Sequence, residues 1–311
     1  MNIFVFGFGN SSRAHIKSLL TFSYIDHIYI FTESDPLFIH ERCTSFSRRS
    51  FLEISRRIPC HLVLIASATC AHVTDYQLVK DLDVPVIFEK PITQSYEKSF
   101  KFIVEHGGKN NQYIFFQRRM APHIQAIKTL IDSTMMGEIK SVSVQISKYK
   151  SKEGPAYLSH LGIHYIDLLL YLLTVQSYSL ASFFPDQAIG SEKRASVAGS
   201  LNDDIPFVLL LDCEAKFASS PHIVLQFDFA RLYISDLSIS LKFDPRLKEL
   251  PKMANLSFIN NTSVDLLSYS NYWRHVFSND EKLSAEFSSL PTLSDSLDAE
   301  KFLHNCYKNK I

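Results

Sequence analysis

The chain has 311 residues, enough for two ordinary domains that each bury a core. Lys+Arg and Asp+Glu balance at 32 each, with 46% hydrophobic and 21% charged residues. That balance leaves no electrostatic footprint for nucleic acid or an anionic membrane, so the expected partner is a small molecule. The longest apolar stretch, residues 165–175, is too short to cross a bilayer and contains Asp167. Five scattered cysteines (Cys43, Cys60, Cys70, Cys213, Cys306) form no C-x-x-C pair, which fits reduced thiols. A first strand starting at Asn2 or Ile3 leaves no room for a signal peptide. The reading is a soluble, cytoplasmic protein.

In chain order, "NIFVFG" (2–7) reads as a buried strand and "SSRAHIKSLLTF" as the helix after it. "HIYIF" (27–31), "HLVLIA" (61–66), "VPVIFE" (84–89) and "QYIFFQ" (112–117) read as further strands, with helical segments such as "AHVTDYQLVKDL" between them. Continuous Val/Ile/Leu/Phe runs mark strands covered on both faces. The alternation predicts an α/β, right-handed, doubly wound parallel sheet. Beyond about residue 118 the pattern changes. A helix from Ala121 to Met136 leads into the strand "EIKSVSVQISKYK", then a helix after Pro155 reaching about Thr174. Alternating strands "VLLLDCEAKF", "HIVLQFDF" and "LYISDLSISLKF" follow, and a last helix spans about Ser294 to Tyr307. This half predicts an α+β domain on a largely antiparallel sheet. The domains are drawn at 1–118 and 119–311.

Only nine glycines occur in the chain, below the usual roughly 7%, yet Gly7 and Gly9 stand together where the first strand turns into a helix. There the backbone can turn tightly and approach a pyrophosphate, with Asn10 and Ser11 opening the helix N-terminus that would bind it. Ser12 takes the third fingerprint position, where a small residue lets helix and strand pack. The other reading is a tight strand–helix turn and nothing more. Glu33, at the end of the second strand, can accept hydrogen bonds from both adenosine ribose hydroxyls and would repel a 2′-phosphate, so NAD is favoured over NADP. A plain surface carboxylate is the alternative.

"FEKPIT" (88–93) puts Glu89 and Lys90 at a strand end, the edge where ligands bind in such sheets. Pro91 restricts Lys90 to an extended conformation, from which it can donate to a substrate hydroxyl or carbonyl; a solvated helix-entry lysine is the other reading. In "SHLGIHYIDLLLYL" (159–172), His160, His164, Asp167 and Tyr171 share one face of an otherwise apolar helix. Such a stripe faces a cavity or satisfied partners. Zinc is disfavoured, because no H-E-x-x-H and no third ligand appear, so no metal is expected. The adjacent Arg118 and Arg119 read as a solvated face or as single anion contacts.

"GFGNSSRAH", "ASATCAH" (66–72), "EKPIT" and "HLGIHYID", in this order and spacing, resemble the Gfo/Idh/MocA oxidoreductases, the family of glucose–fructose oxidoreductase and inositol 2-dehydrogenase. "QRRMAP" and its following helix are similar to that family's entry into its second domain. The resemblance implies a Rossmann domain followed by an α/β domain whose open sheet packs in homodimers or homotetramers. It implies NAD-dependent hydride exchange with a sugar, nucleotide-sugar or cyclitol hydroxyl or ketone. By position Lys90 and His164 become the catalytic pair with His160 beside them. Ser67 and His72 border the nicotinamide, and Arg118 and Asp167 address substrate. One departure stands out: inositol dehydrogenase-like members carry an aspartate where this chain has His160. Some relatives are regulators without turnover, so a non-catalytic NAD- or sugar-sensing protein is the alternative.

Overall fold

The computed structural model describes residues 1–33, 40–107, 111–147, 158–185, 193–202, 204–214, 222–235, 238–243, 262–263, 269–277 and 290–308. The chain divides into two compact units, Met1–Gln117 with Tyr269–Asp298, and Arg118–Ser268 with Ala299–Ile311. The sequence reading draws the second domain as one contiguous stretch, whereas Tyr269–Asp298 groups with the first unit.

The first unit runs β1 (Asn2–Phe6), α1 (Asn10–Leu19), β2 (His27–Phe31), β3 (Cys43–Phe46), α2 (Phe51–Arg57), β4 (Leu62–Ile65), α3 (His72–Val79), β5 (Val86–Phe88), α4 (Tyr96–His106) and β6 (Gln112–Ile114). The sheet order is β3-β2-β1-β4-β5-β6, and every pair is parallel. This is the doubly wound sheet expected from the alternation. Strand order reverses between β1 and β4, and ligands of such sheets bind in the crevice outside that point. The driving force is aromatic: Phe4, Phe6, Phe31 and Phe51 are all buried and in ring contact. Each such side chain contributes about 1.5–3 kcal/mol by leaving water. β3 was not expected from sequence. Its "CTSF" is short and half exposed, an edge strand without a hydrophobic run.

The second unit contains α5 (Pro122–Asp132), β7 (Ile139–Ser147), α6 (Ile163–Leu173), β8 (Tyr178–Pro185), β9 (Arg194–Leu201), β10 (Ile205–Asp212), β11 (His222–Phe227), β12 (Ala230–Ser235), β13 (Ser238–Phe243) and β14 (Thr262–Ser263). The sheet order is β14-β13-β12-β11-β7-β10-β9-β8, antiparallel except for the β7–β10 pair. Burial alternates along the strands. Val142, Val144, Ile146, Phe207, Leu209, Leu211, Ile223 and Leu225 face the core, while Phe184 and Leu210 are exposed. One covered and one open face is the reason the sequence alternates here.

Pro155, the expected start of the α6 segment, lies outside the described residues. α7 (Tyr269–Val276) and α8 (Leu293–Lys308) complete the order. Among the described residues no helix is long and apolar enough to cross a membrane.

Candidate functional site at the glycine turn and on helix α6

In the first unit the carboxyl ends of β1, β4 and β5 converge on the turn between β1 and α1. Gly7 has φ +97°, and a Cβ there would lie 2.5 Å from the Ser67 Cα and 2.7 Å from the Ala66 carbonyl oxygen. Only glycine satisfies both the left-handed backbone and the contact. Gly9 differs: among the described residues no atom outside its chain neighbours lies within 4 Å of where its Cβ would be. It caps α1 without a side-chain hydrogen bond to the helix N–H groups. An open cradle at an uncapped helix start fits a pyrophosphate. Ser12 is buried and its hydroxyl donates to the Ala66 carbonyl at 2.7 Å, so it fastens α1 to β4. Asn10 is exposed beside Gly9.

Glu33 is exposed at the end of β2, where its Oε1 accepts from the Ser47 hydroxyl at 3.2 Å and the Arg48 N–H at 3.1 Å. Sequence reasoning missed what lies beside it. Arg48 pairs with Asp75 at 3.2 Å, and Asp75 also accepts from the Ser67 hydroxyl at 2.5 Å. Burial raises the Asp75 carboxyl despite the Ser67 hydrogen bond and the Arg48 and His72 charges. The three residues join the ends of β3 and β4 to α3.

His72, expected beside the nicotinamide, is buried. Its Nδ1 lies 3.2 Å from the Ile92 carbonyl and its Nε2 3.1 Å from the Ser67 carbonyl. The ring is occupied by backbone and acts by holding the Ser67 loop against the chain after Pro91. Lys90 is half-buried, and the Lys90–Pro91 peptide is cis. Its N–H donates to Glu89 Oε2 at 3.2 Å. Glu89 is buried and accepts from the Ser11 hydroxyl and, at 3.0 Å, from His15 Nε2. Burial alone would raise the Glu89 carboxyl, but the His15 hydrogen bond, with Lys90 and Ser11, outweighs it and holds Glu89 an anion.

Burial also holds His15 and His72 below the usual histidine value, against the pull of Glu89 and of the His72 backbone partners. In the unfolded chain both take up a proton near pH 6.5, but in the folded chain only at lower pH. Below about 6.5 the unfolded state therefore binds more protons, and stability falls as pH falls. The expected result is a lower melting temperature at about pH 5.5 than at about 7.5, with part of the difference removed in His72→Gln. Scanning calorimetry at the two values checks it.

In the second unit the polar stripe of α6 separates into different environments. His160 is exposed in a π-helical turn, Leu158–Gly162, ahead of α6, while His164 is half-buried on α6 itself. The wider turn takes His160 off the regular 3.6-residue face. Asp167 is fully buried, and Arg119 grips its carboxylate through Nε at 2.9 and 3.0 Å and Nη2 at 2.5 Å. The Tyr171 ring lies under the same guanidinium at 5.1 Å, and its hydroxyl donates to Gln125 Oε1 at 3.0 Å. Gln125 in turn donates to the Arg119 carbonyl at 2.5 Å. Asp167, expected as a substrate contact, joins α6 through Arg119 to the turn before α5. Arg118, also expected to meet substrate, is buried, with Nη2 donating to the Tyr165 hydroxyl at 2.9 Å. The sequence gives Arg119 no partner, because two adjacent arginines read equally as a solvated face or as anion contacts. Among the described residues no cluster of His, Cys, Asp and Glu could hold a metal ion.

No protein-family model matches the chain, and no curated protein does. Solved structures match along nearly its whole length. A WlbA dehydrogenase from Bordetella pertussis, in complex with NADH and UDP-GlcNAcA, has a TM-score of 0.76 at 14% identity, covering 99% of this chain and 95% of its own. A myo-inositol dehydrogenase from Corynebacterium glutamicum has 0.73 at 14%, covering 100% and 96%. A super-repressor mutant of Gal80p from Saccharomyces cerevisiae has 0.72 at 14%, covering 99% and 95%. The likeness is one of fold. The parallel sheet and the mostly antiparallel sheet match the fold of the WlbA dehydrogenase structure.

Proposed function

We propose that the chain is a Gfo/Idh/MocA-type oxidoreductase that exchanges a hydride between NAD(H) and a hydroxyl or ketone on a sugar, nucleotide sugar or cyclitol. The observation that carries the reading is the β1–α1 turn. Gly7 is forced by its backbone and by Ser67, while Gly9 leaves space before an uncapped helix at the strand-order reversal. Support comes from the fold's likeness to the WlbA dehydrogenase, crystallised with NADH and a nucleotide sugar. Gly7, Gly9, Asn10, Ser11 and the Ser67 loop would hold the dinucleotide, and the exposed Glu33 would meet the adenosine ribose and oppose a 2′-phosphate. A bound nicotinamide supplies the hydride acceptor or donor. Lys90 orients the substrate oxygen and stabilises developing alkoxide charge, and His164 takes up or returns the hydroxyl proton. The protein works in the cytoplasm as a homodimer or homotetramer.

A non-catalytic sensor of NAD or sugar is the second reading, favoured by His160 in place of the family aspartate and by the likeness to Gal80p. Calorimetric titration with NADH and NADPH, then turnover assays on nucleotide sugars and cyclitols, separates the readings. NADH should bind more tightly, and Glu33→Ala should narrow the difference. Lys90→Ala should keep NADH affinity and lose about a hundredfold in turnover. Nicotinamide binding with no turnover on any substrate would leave the sensor reading standing. Equal affinity for both dinucleotides would remove the role given to Glu33.

A further inference from the structure

The glycine turn is braced from behind by a residue from the far end of the chain. α7 belongs to the first unit, and its Trp273 is the only tryptophan in the sequence. The indole Nε1–H donates to Nδ1 of His15 at 3.1 Å. His15, on α1, is fully buried, with its ring centroid 4.2 Å from Phe115, 4.7 Å from Tyr269 and 5.5 Å from Trp273.

An indole nitrogen only donates, so Nδ1 must offer its lone pair, and a neutral imidazole then carries its proton on Nε2. That proton points at Glu89 Oε1, 3.0 Å away. Oε1 also accepts from the Ser11 hydroxyl, and Oε2 accepts from the Lys90 N–H at 3.2 Å. Glu89 therefore joins the first turn of α1, where the open Gly9 cradle lies, to the backbone of Lys90. Its charge also sits near the N-terminus of α1, which favours an anion. With the other tautomer, an imidazole lone pair would face the carboxylate in a site closed to water, which is a repulsive contact.

We propose that Trp273 and His15 are positioning residues. By fixing the His15 tautomer, Trp273 makes Glu89 hold the glycine turn and Lys90 together in the arrangement that receives the dinucleotide. The inference rests on the dinucleotide reading above and adds to it a control exerted by α7. Neither residue touches the ligand. Their effect passes through Glu89.

The test is calorimetric titration of the full chain with NADH, for wild type and four variants. Trp273→Phe keeps a ring but deletes the N–H, and should weaken NADH binding about tenfold. His15→Leu, which deletes the donor to Glu89, should weaken it at least as much. His15→Gln offers an amide N–H near the Nε2 position and has no tautomer to fix, so its affinity should stay within about threefold of wild type. The decisive comparison is Trp273→Phe in the His15→Gln background, where the second change should cost less than twofold. A loss from mere packing would be the same in both backgrounds. Hydrogen exchange at the Lys90 amide, slow in wild type and faster in His15→Leu, reads the link without any ligand. Wild-type affinity in Trp273→Phe, or an equal loss in the His15→Gln background, overturns the relay and leaves the dinucleotide reading intact. Failure of the wild type to bind either nicotinamide dinucleotide overturns both.

Discussion

Gly9→Val should fold and melt like the wild type and bind no measurable NADH. The two halves of that result have separate causes. Among the described residues no atom beyond its chain neighbours lies within 4 Å of a Cβ at Gly9, and Gly9 has the ordinary φ of −76°. A Cβ there meets none of the described neighbours and needs no unusual backbone, so the fold should tolerate a branched side chain. That side chain fills the space through which a pyrophosphate would reach the N–H groups of α1. Gly9→Ala should give an intermediate loss, since one methyl blocks less of the approach. Gly7→Ala is the control of opposite sign. Its Cβ would stand 2.5 Å from Ser67 Cα at a φ of +97°, so it should lower the melting temperature before any ligand is added. Calorimetric titration beside thermal melts reads both quantities. A Gly9→Val protein that binds NADH normally would remove the pyrophosphate from this turn. One that fails to fold would show that the open space closes on the protein side.

Asp167→Ala should cost about 3–5 kcal/mol of stability, the range for breaking a buried ion pair by removing one partner. Arg119 keeps its charge, but the carboxylate that neutralises it at 2.5–3.0 Å is gone, and its side chain is only 9% exposed. Asp167→Asn keeps the shape and one acceptor, so it should cost less. The double change Arg119→Leu with Asp167→Leu should recover much of the loss, because it removes the charges as a pair. Denaturant unfolding checks all three. The same variants decide between two roles. If Asp167 served His164 as a charge partner, Asp167→Asn would lower turnover in a protein of nearly normal stability. The bidentate grip of Arg119 predicts a stability defect in every single variant. Unchanged unfolding midpoints would return Asp167 to the chemistry.

The sequence by itself determined the parallel sheet of the first unit, because its strands are buried on both faces and therefore appear as unbroken apolar runs. It determined the glycine turn as well. A strand-to-helix reversal with two glycines and a small third residue is a local demand of the backbone, readable without any distant partner. The alternation in the second unit was equally legible, since one covered and one open face imposes a period of two.

What lay beyond it were pairings across the chain. β3 has no hydrophobic run of its own and forms only because β2 offers an edge. Asp167 and His164 fall on one greasy helix in the sequence. Only the tertiary structure shows Arg119, 48 positions away, closing on the carboxylate. Trp273 and His15 are 258 positions apart, and nothing in either neighbourhood announces the other. Periodicity reports which face of an element is covered but not what covers it. A polar side chain on an apolar face therefore reads equally well as a ligand contact or a satisfied core group until the fold supplies its partner.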